Sequence, residues 1–266
     1  VGSEMCIRDR NKQYEEAIED FDKFIFQENK VTDAYIGRGT AYLYLKDTVR
    51  ALENFDQAIR TNRENPNGYY QRGTLLLQKE EYARAEADFD MSIRCDSTFL
   101  PPYFNRAVVY SNTNRPMQAL ADFDRVLQLD STNSFTYFNR AILRTQIGDY
   151  NRALDDFDRV ALYSPGNVQV YYLRAMLKTR LGDLEGAERD YTRAIELYPD
   201  FANAYLNRSA LRYALHNPKA AKRDEEIAQR KIAEYKTRLS DSTYSIYADT
   251  THRFDRLLSF DANVAG

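Results

Sequence analysis

Pairs of carboxylates that lie close together are the first residues in this sequence that could do chemistry. Asp156 and Asp158 flank an aromatic residue, and Asp122 and Asp124 do the same earlier in the chain. Paired carboxylates can act as a general acid and a general base. Similar pairs recur through most of the chain, however, whereas a catalytic pair would be expected once. We therefore interpret them as solvated helix faces with ion pairs such as Arg152–Asp156.

Histidine, cysteine and glycine motifs do not supply a second kind of reactive site. His216 and His252 have no other histidine or cysteine at metal-ligand spacing. The sequence contains no glycine-rich phosphate loop and no Gly-x-Ser-x-Gly elbow. The prediction is a protein that is not an enzyme, with no catalytic residue, no metal site and no cofactor.

Arginines recur at a fixed spacing, and so do aspartates. A partly buried guanidinium needs hydrogen-bond partners, and a carboxylate can accept two N–H groups of arginine at once. We predict a structural ladder of ion pairs between helices, with ligand binding by these arginines as the alternative. The ladder is predicted from the columns Arg38, Arg72, Arg106, Arg140, Arg174 and Arg208, and Asp88, Asp122, Asp156 and Asp190.

The elements that position these residues follow from an internal repeat of 34 residues. Repeats of this length are typical of stacked helical units. No insertion or deletion interrupts the period. Its columns are Tyr35, Tyr69, Tyr103, Tyr137, Tyr171 and Tyr205; Ala17, Ala51, Ala85, Ala119, Ala153, Ala187 and Ala221; and Phe21, Phe55, Phe89, Phe123, Phe157 and Tyr191.

Each repeat has the pattern of two helices joined by a short turn. Apolar residues recur at helical spacing over Tyr137–Ile147 and again over Tyr150–Leu162, with Gly148 between them. We expect Tyr137 to pack on Phe157 within this unit. A single hairpin cannot bury its apolar face alone, so neighbouring hairpins must stack.

These columns resemble the tetratricopeptide repeat family over about Asn11 to Leu239. Two departures are arginine where the family often has leucine, and a closing proline only at Pro165 and Pro199. The resemblance implies an all-α fold, an α-solenoid of 34-residue helix-turn-helix repeats that forms a right-handed superhelix. The expected order is a partial repeat at 11–31, six hairpins at 32–65, 66–99, 100–133, 134–167, 168–201 and 202–239, and a linker with a short tail helix at 240–266.

Both ends of the chain carry expectations of their own. Residues 1–10 read as a non-native scar, because Val1–Asp9 back-translates to the end of a sequencing adapter and Arg10 forms the junction. This interpretation indicates that the natural N-terminus is missing and that the source is microbial, and it leaves the cellular location open. Glu225 replaces the aromatic column in the last hairpin, and we expect the long final helix to act as a cap.

The same resemblance implies that the first helices of successive hairpins line a concave groove for a peptide or a partner protein. We expect the groove to include the aromatic and amide residues that follow the tyrosine column, with Thr74, Val108, Ile142 and Met176 one turn further on. The alternative is that the aromatic residues only pack first helix against first helix. The predicted groove residues are Tyr70, Gln71, Phe104, Asn105, Phe138, Asn139, Tyr172 and Asn207.

Charge and hydropathy narrow the class of partner. A formal net charge of -3 does not suit a nucleic-acid binder, and no apolar run is long enough to cross a bilayer. The basic residues with which some family members grip the C-terminal carboxylate of chaperones are replaced here by residues such as Tyr70 and Phe104. The expected partner is therefore a protein or peptide that does not present a free carboxylate to such a clamp.

Two classes of function remain open at this stage. The chain is either an adaptor that assembles other proteins or the recognition region of a larger enzyme or sensor whose effector lies outside these residues. A third possibility is autoinhibition, in which the alternating segment 242–248 occupies the groove of its own chain.

Overall fold

The computed structural model describes residues 2–28 and 30–237, and these residues form thirteen helices and no strand. They divide into two compact units, the first ending at Leu129 and the second beginning at Asp130. The chain is thus an all-helical array of paired helices, as the repeat pattern predicted. None of the helices in these ranges is long and apolar enough to span a membrane.

The first unit contains one single helix followed by three hairpins. In each hairpin the two helices pack against each other, and each second helix also contacts the first helix of the next hairpin. The helices are α1 (Gly2–Gln27), α2 (Thr32–Tyr44), α3 (Thr48–Thr61), α4 (Pro66–Gln78), α5 (Tyr82–Cys95), α6 (Leu100–Asn112) and α7 (Pro116–Leu129).

The second unit contains three hairpins, and its last helix is the longest of the six. The pairs pack in the same order as those of the first unit. The helices are α8 (Ser134–Gln146), α9 (Tyr150–Tyr163), α10 (Val168–Leu181), α11 (Leu184–Leu197), α12 (Ala202–Ala214) and α13 (Pro218–Thr237).

Local sequence signals explain where several of these helices begin. The Asn133 side chain accepts a hydrogen bond from the Thr136 N–H at 2.9 Å, and Asp183 accepts one from the Gly186 N–H at 2.9 Å. Such caps satisfy donors that the first turn of a helix leaves without a partner. Pro116 starts α7, where a missing N–H costs nothing.

The turn inside each hairpin contains one residue with a left-handed backbone. Glycine adopts this conformation freely, whereas other residues lose about 1 kcal/mol there. Only two of the six positions carry glycine. The residues are Lys46, Glu80, Asn114 and His216, with φ of 57 to 62°, and Gly148 and Gly182, with φ of 84 and 85°.

The alanine and aromatic columns form the core where the two helices of a hairpin cross. Ala85 and Phe89 of α5 are both 0% exposed. A Cβ atom added at Gly73 of α4 would stand only 2.9 Å from the Phe89 ring. The crossing therefore requires a small residue on the first helix, because the aromatic ring of the second helix fills the space.

The aromatic pairing inside the fourth hairpin differs from the expected one. Phe138, and not Tyr137, makes an edge-to-face contact with Phe157 at 6.3 Å between ring centroids. Tyr137 contacts Tyr163 at 6.1 Å. The expectation that Tyr137 pairs with Phe157 is wrong, because the residue after the column tyrosine is the one that points into the hairpin.

Candidate functional site

The predicted groove residues of the first unit lie mainly inside it. Tyr70 is buried and contacts Phe99 edge-to-face at 5.4 Å, while Phe104 is buried and contacts Phe123 at 5.3 Å. Asn105 is also buried, and its Nδ2 donates to the Thr74 hydroxyl at 3.1 Å. Among the four predicted residues of this unit, only Gln71 is half-buried. The burial of the other three leaves little of them for a ligand.

In the second unit, too, three of the four predicted groove residues are buried. Phe138 and Asn139 are buried, and Asn139 donates to the Phe135 carbonyl at 2.8 Å. Tyr172 is buried against Phe201, with ring centroids 4.7 Å apart. Asn207 is half-buried, and its Nδ2 donates to the Tyr172 hydroxyl at 3.0 Å. Asn207 is therefore the predicted groove residue of this unit with the most access to ligand.

A further sequence signal explains the burial of Tyr70 and Tyr172. Phe99 and Phe201 each stand just before the first helix of a hairpin, and each packs on an aromatic residue of the preceding first helix. Their periodic position is visible in the sequence. An aromatic residue at that position covers the residue that would otherwise face outward.

An open pocket of about 440 Å³ lies between α8 and α10. Its walls are mainly apolar, with polar side chains at the ends of the two first helices. Of the four residues that the sequence analysis placed one turn further on, Ile142 and Met176 line this pocket, whereas Thr74 and Val108 do not. The lining residues are Ile142, Thr145, Gln146, Tyr150, Phe157, Leu173, Met176, Leu177 and Arg180.

A second pocket of about 360 Å³ lies one hairpin further along, between α10 and α12. The two pockets share Met176, whose side chain is 44% exposed. An exposed methionine between two pockets can adapt to ligands of different shape. The lining residues of the second pocket are Met176, Thr179, Leu184, Tyr191, Asn207, Ala210, Leu211 and Ala214.

The polar groups of the two pockets are mostly neutral. Burial raises the pKa of the Tyr191 phenol, while hydrogen bonds with Thr179 and Asn207 act in the opposite direction. The phenol therefore stays protonated near neutral pH. No aspartate or glutamate lines either pocket, and the one charged lining residue is Arg180. Its guanidinium lies 4.6 Å from the centre of the Tyr150 ring.

The periodic arginines bind carboxylates, and we call these residues together the arginine ladder. Its arginines are Arg38, Arg72, Arg106, Arg140, Arg174 and Arg208. In the first unit, Arg72 donates through Nε and Nη2 to the two oxygens of Asp88, at 2.8 and 2.6 Å. Arg106 does the same with Asp122, at 2.7 Å for both bonds. Each of these pairs joins the two helices of one hairpin with the bidentate geometry that arginine favours.

A third hydrogen bond of each arginine reaches the hairpin before it. Arg72 Nη1 donates to Asp56 at 2.6 Å, and Arg106 Nη1 donates to Asp90 at 2.6 Å. This second aspartate column was not predicted to bind the arginines. Its signal was present in the sequence, because these aspartates recur with the same period two residues after the first column.

Both aspartates of each pair were interpreted from the sequence as a solvated face. That interpretation is wrong for Asp88, Asp122 and Asp156, which are buried. Asp156 binds Arg140, whereas the guanidinium of its expected partner Arg152 lies 3.6 Å from the Asp149 carboxylate.

The second unit contains the same pairs. Arg174 binds both oxygens of Asp190, at 2.8 and 2.5 Å, and reaches Asp158 of the preceding hairpin at 2.8 Å. Arg140 binds Asp156, at 2.9 and 2.6 Å. Arg208 binds both oxygens of Asp224.

The ends of the ladder depart from this scheme in their partners. Arg38 in the first hairpin donates to Asn54 at 2.7 Å where the later arginines meet an aspartate, and it also pairs with Asp22. Arg208 in the last hairpin reaches Thr192 at 2.9 Å where the others reach a second carboxylate. The terminal arginines therefore carry fewer charged contacts than Arg72, Arg106 and Arg174.

The environment of the ladder is partly dehydrated. Burial raises the pKa of Asp122, and the hydrogen bonds from Arg106 act against this shift. The hydrogen bonds that Arg72 donates to Asp88 raise the pKa of Arg72 above its usual value. A buried carboxylate held in this way depends on its arginine, because removing one partner leaves the other charge buried alone.

The tyrosine column packs against the arginines of the ladder. In five hairpins the guanidinium lies 5.4 to 5.7 Å from the ring centre of the tyrosine three residues earlier, a distance that suits a cation–π contact. This contact accounts for the joint periodicity of tyrosine and arginine.

Three of the expectations concern residues that the structure does not describe. His252 and the segment 242–248 both lie outside the described residues, and so does the tail at 240–266. The other histidine, His216, is exposed in the turn between α12 and α13.

Comparisons with known proteins identify the same kind of repeat in this chain. Two models of the tetratricopeptide repeat family match the chain, one over residues 36–98 and the other over residues 168–201. Both describe the repeat, and neither describes an enzyme. No curated protein matches the chain.

Several solved structures share the fold at low sequence identity. YrrB, a TPR protein "with an unusual peptide-binding site", has a TM-score of 0.60 and 22% identity, covering 70% of this chain and 96% of YrrB. The pilF protein of Pseudomonas aeruginosa has a TM-score of 0.65 and 16% identity, covering 82% and 95%. The C-terminal part of a TPR protein from Cytophaga hutchinsonii has a TM-score of 0.64 and 17% identity, covering 94% and 98%. The family models and the periodic columns show that the chain contains tetratricopeptide repeats, and the solved structures share the fold of its paired helices.

Proposed function

We propose that this chain is a scaffold protein that holds an extended peptide segment of a partner along α8, α10 and α12. Tetratricopeptide repeats are generally protein-binding scaffolds. The observation that carries the proposal is the pair of adjacent open pockets that share Met176.

The chemistry of the two pockets suits a peptide. Apolar walls supply the contact area that side-chain anchors of a partner require. Neutral hydroxyl and amide groups such as Thr145, Gln146 and Thr179 can donate to or accept from a peptide backbone. A ligand of this kind is held by side-chain burial first and by backbone hydrogen bonds second.

The similarity to YrrB supports the proposal at the level of fold. That protein is described as having a peptide-binding site, and it spans the same kind of repeat array. The binding step is the same whether this chain works alone as an adaptor or as the recognition region of a larger enzyme or sensor. One experiment therefore tests it in both cases.

The experiment is a selection of random twelve-residue peptides displayed on phage against the full chain, followed by affinity measurement on the Met176→Glu variant. Met176 is exposed, so the substitution should leave the fold intact while it places a charge between the pockets. We expect the selected peptides to bind the variant at least tenfold more weakly, since a carboxylate between the pockets loses hydration when an apolar anchor is buried beside it.

The matched control is Met117→Glu on α7, where the methionine is 72% exposed and lines neither pocket. This control should retain the affinity of the unmodified chain, and both variants should unfold at the same temperature as that chain. Selected peptides that bind equally well to the Met176→Glu chain, or a selection that yields no binding peptide, would exclude the pockets as the site.

A further inference from the structure

The two pockets also carry information on which peptide they take, and this inference rests on the proposed function. We infer that the partner segment is acidic, with two apolar anchors three residues apart and a carboxylate next to the anchor in the first pocket. Three features of the second unit lead to this ligand: the spacing of the pockets, the absence of acidic lining residues, and the position of Arg180.

The spacing follows from the repeat. The first pocket lies between α8 and α10, and the second lies one hairpin along, between α10 and α12. The first helices α10 and α12 approach each other to within 8 Å between Cα atoms. Helices in contact have axes about 8 to 10 Å apart, so we take the two pockets to be separated by about the same distance. A peptide in the polyproline II conformation rises about 3.1 Å per residue and places every third side chain on one face, which corresponds to about 9.3 Å.

Other extended conformations fit this distance less well. In a β-strand, side chains on one face are two residues apart, or about 6.6 Å, and the next candidates are about 13 Å apart. Neither distance matches the separation of the two pockets. The anchors should therefore be three residues apart, one in each pocket.

The charge preference comes from Arg180. This exposed arginine lines the first pocket and stacks on the Tyr150 ring at 4.6 Å, which holds its guanidinium at the pocket edge. It forms no ion pair with any residue in the described ranges, and the residues lining both pockets include no carboxylate. A carboxylate of the ligand would accept a charge-assisted hydrogen bond from the Arg180 guanidinium.

The residues close to Arg180 in sequence do not offer a competing cation for the same ligand group. Lys178 on the same helix pairs with Asp190 at 2.8 Å, and Arg174 pairs with Asp190 and Asp158. Both cations are thus neutralised by the arginine ladder. Arg180 is the charged group that the first pocket presents to a ligand.

The inference is tested by running the same peptide selection in parallel on the full chain and on its Arg180→Gln variant. On the unmodified chain we expect enrichment of aspartate or glutamate beside the first of two apolar residues spaced three apart. On the variant, the spacing preference should remain and the acidic preference should disappear. The matched control is Arg152→Gln, an exposed arginine of α9 that lines neither pocket.

A double-mutant cycle then measures the contact directly. For the most enriched peptide, replacing its acidic residue by the corresponding amide should weaken binding to the unmodified chain about tenfold, and to the Arg180→Gln chain less than twofold. The tenfold difference should shrink at about 0.5 M salt, because exposed charges are screened.

The outcomes separate the two proposals. Peptides that depend on Met176 but show the same acidic preference on both chains, or none, would overturn the acidic-ligand inference and leave the peptide-binding proposal standing. Anchors that are enriched at a spacing other than three would overturn the polyproline II register. Binding that ignores Met176→Glu would remove the proposed site, and this inference would fall with it.

Discussion

At the scale of single residues, Arg106 uses three N–H groups on two carboxylates from different hairpins. The planar guanidinium makes this possible because its donors point in fixed directions. A lysine carries the same charge on a single ammonium group, so it cannot bind both oxygens of Asp122 and also reach Asp90. The identity of the residue therefore matters more than its charge.

The substitution Arg106→Lys should lower the free energy of unfolding by about 2 kcal/mol, since it removes charge-assisted hydrogen bonds to a buried carboxylate. Chemical denaturation of the full chain measures this change. Arg84→Lys is the control, because Arg84 is mostly exposed and binds only Glu81; its cost should stay below about 0.5 kcal/mol. Equal effects at the two positions would argue against a structural role for the ladder.

The left-handed turn residues allow a stabilising prediction. Glu80 has φ 59°, a conformation that costs a non-glycine residue about 1 kcal/mol. We expect Glu80→Gly to raise the thermal unfolding temperature, and Gly148→Ala, at φ 84°, to lower it. Nothing lies within 4 Å of a Cβ atom built at Gly148, so that loss would report backbone strain alone. A loss of stability in Glu80→Gly would contradict this account.

Much of the residue-scale chemistry was readable in the sequence, and some of it was not. The arginines and their first aspartate partners share one period, so their association could be inferred from the sequence alone. The buried state of Asn105 and Asn139 could not, because it depends on whether neighbouring first helices cover the position. Periodicity assigns a residue to a helix face but does not say how much of that face a neighbour covers.

At the scale of elements, one ion pair ties the second hairpin to the turn of the third. Arg115, just before α7, donates to both carboxylate oxygens of Glu86 on α5, at 3.0 and 2.6 Å. Its guanidinium also lies 4.5 Å from the ring centre of Tyr110 on α6. Three helices of the first unit therefore meet at one charged group.

This contact predicts a pH dependence of stability. The hydrogen bonds from Arg115 lower the pKa of Glu86 below its ordinary value, so the carboxylate contributes stability above its unfolded pKa of about 4.3. The contribution is lost as the pH falls through the lower folded pKa. Glu86→Gln should therefore cost up to about 1 kcal/mol at pH 7 and less at pH 3.

Urea denaturation of both chains at the two pH values measures this difference. Glu53→Gln, at a position of α3 away from this contact, serves as the control and should show no such dependence. A cost for Glu86→Gln that is the same at pH 7 and at pH 3 would mean that shape, and not charge, accounts for the role of Glu86.

Helix positions were among the most predictable features of the fold. Asparagine, aspartate and proline at the helix starts are local signals, and α4, α7, α8 and α13 begin where those signals stand. The aromatic contacts between elements were less predictable. Sequence spacing could not decide between Tyr137 and Phe138 as the partner of Phe157, because adjacent residues on a helix differ by only about 100° in direction.

At the scale of the whole molecule, the 34-residue period alone indicates the family, because each hairpin repeats the same residue types in the same order. The chemistry of the candidate binding surface did not follow from the period. The two pockets occupy equivalent positions one period apart, but several lining residues differ in type: Leu173 and Arg180 of the first pocket correspond to Asn207 and Ala214 of the second. A repeated scaffold with variable residues at one face is what a scaffold protein requires.

The equal reach of the ladder arginines in both directions has a consequence for how such a protein can change over generations. In the first unit, Arg72 and Arg106 each contact an acceptor 16 residues before and another 16 residues after themselves. A duplication or loss of one full period by unequal recombination would give every arginine an equivalent pair of acceptors. A length change of any other size would misalign the charges at the new junction. The ion pairs thus favour growth by whole repeats, which offers a way to lengthen a binding surface without redesigning its joints.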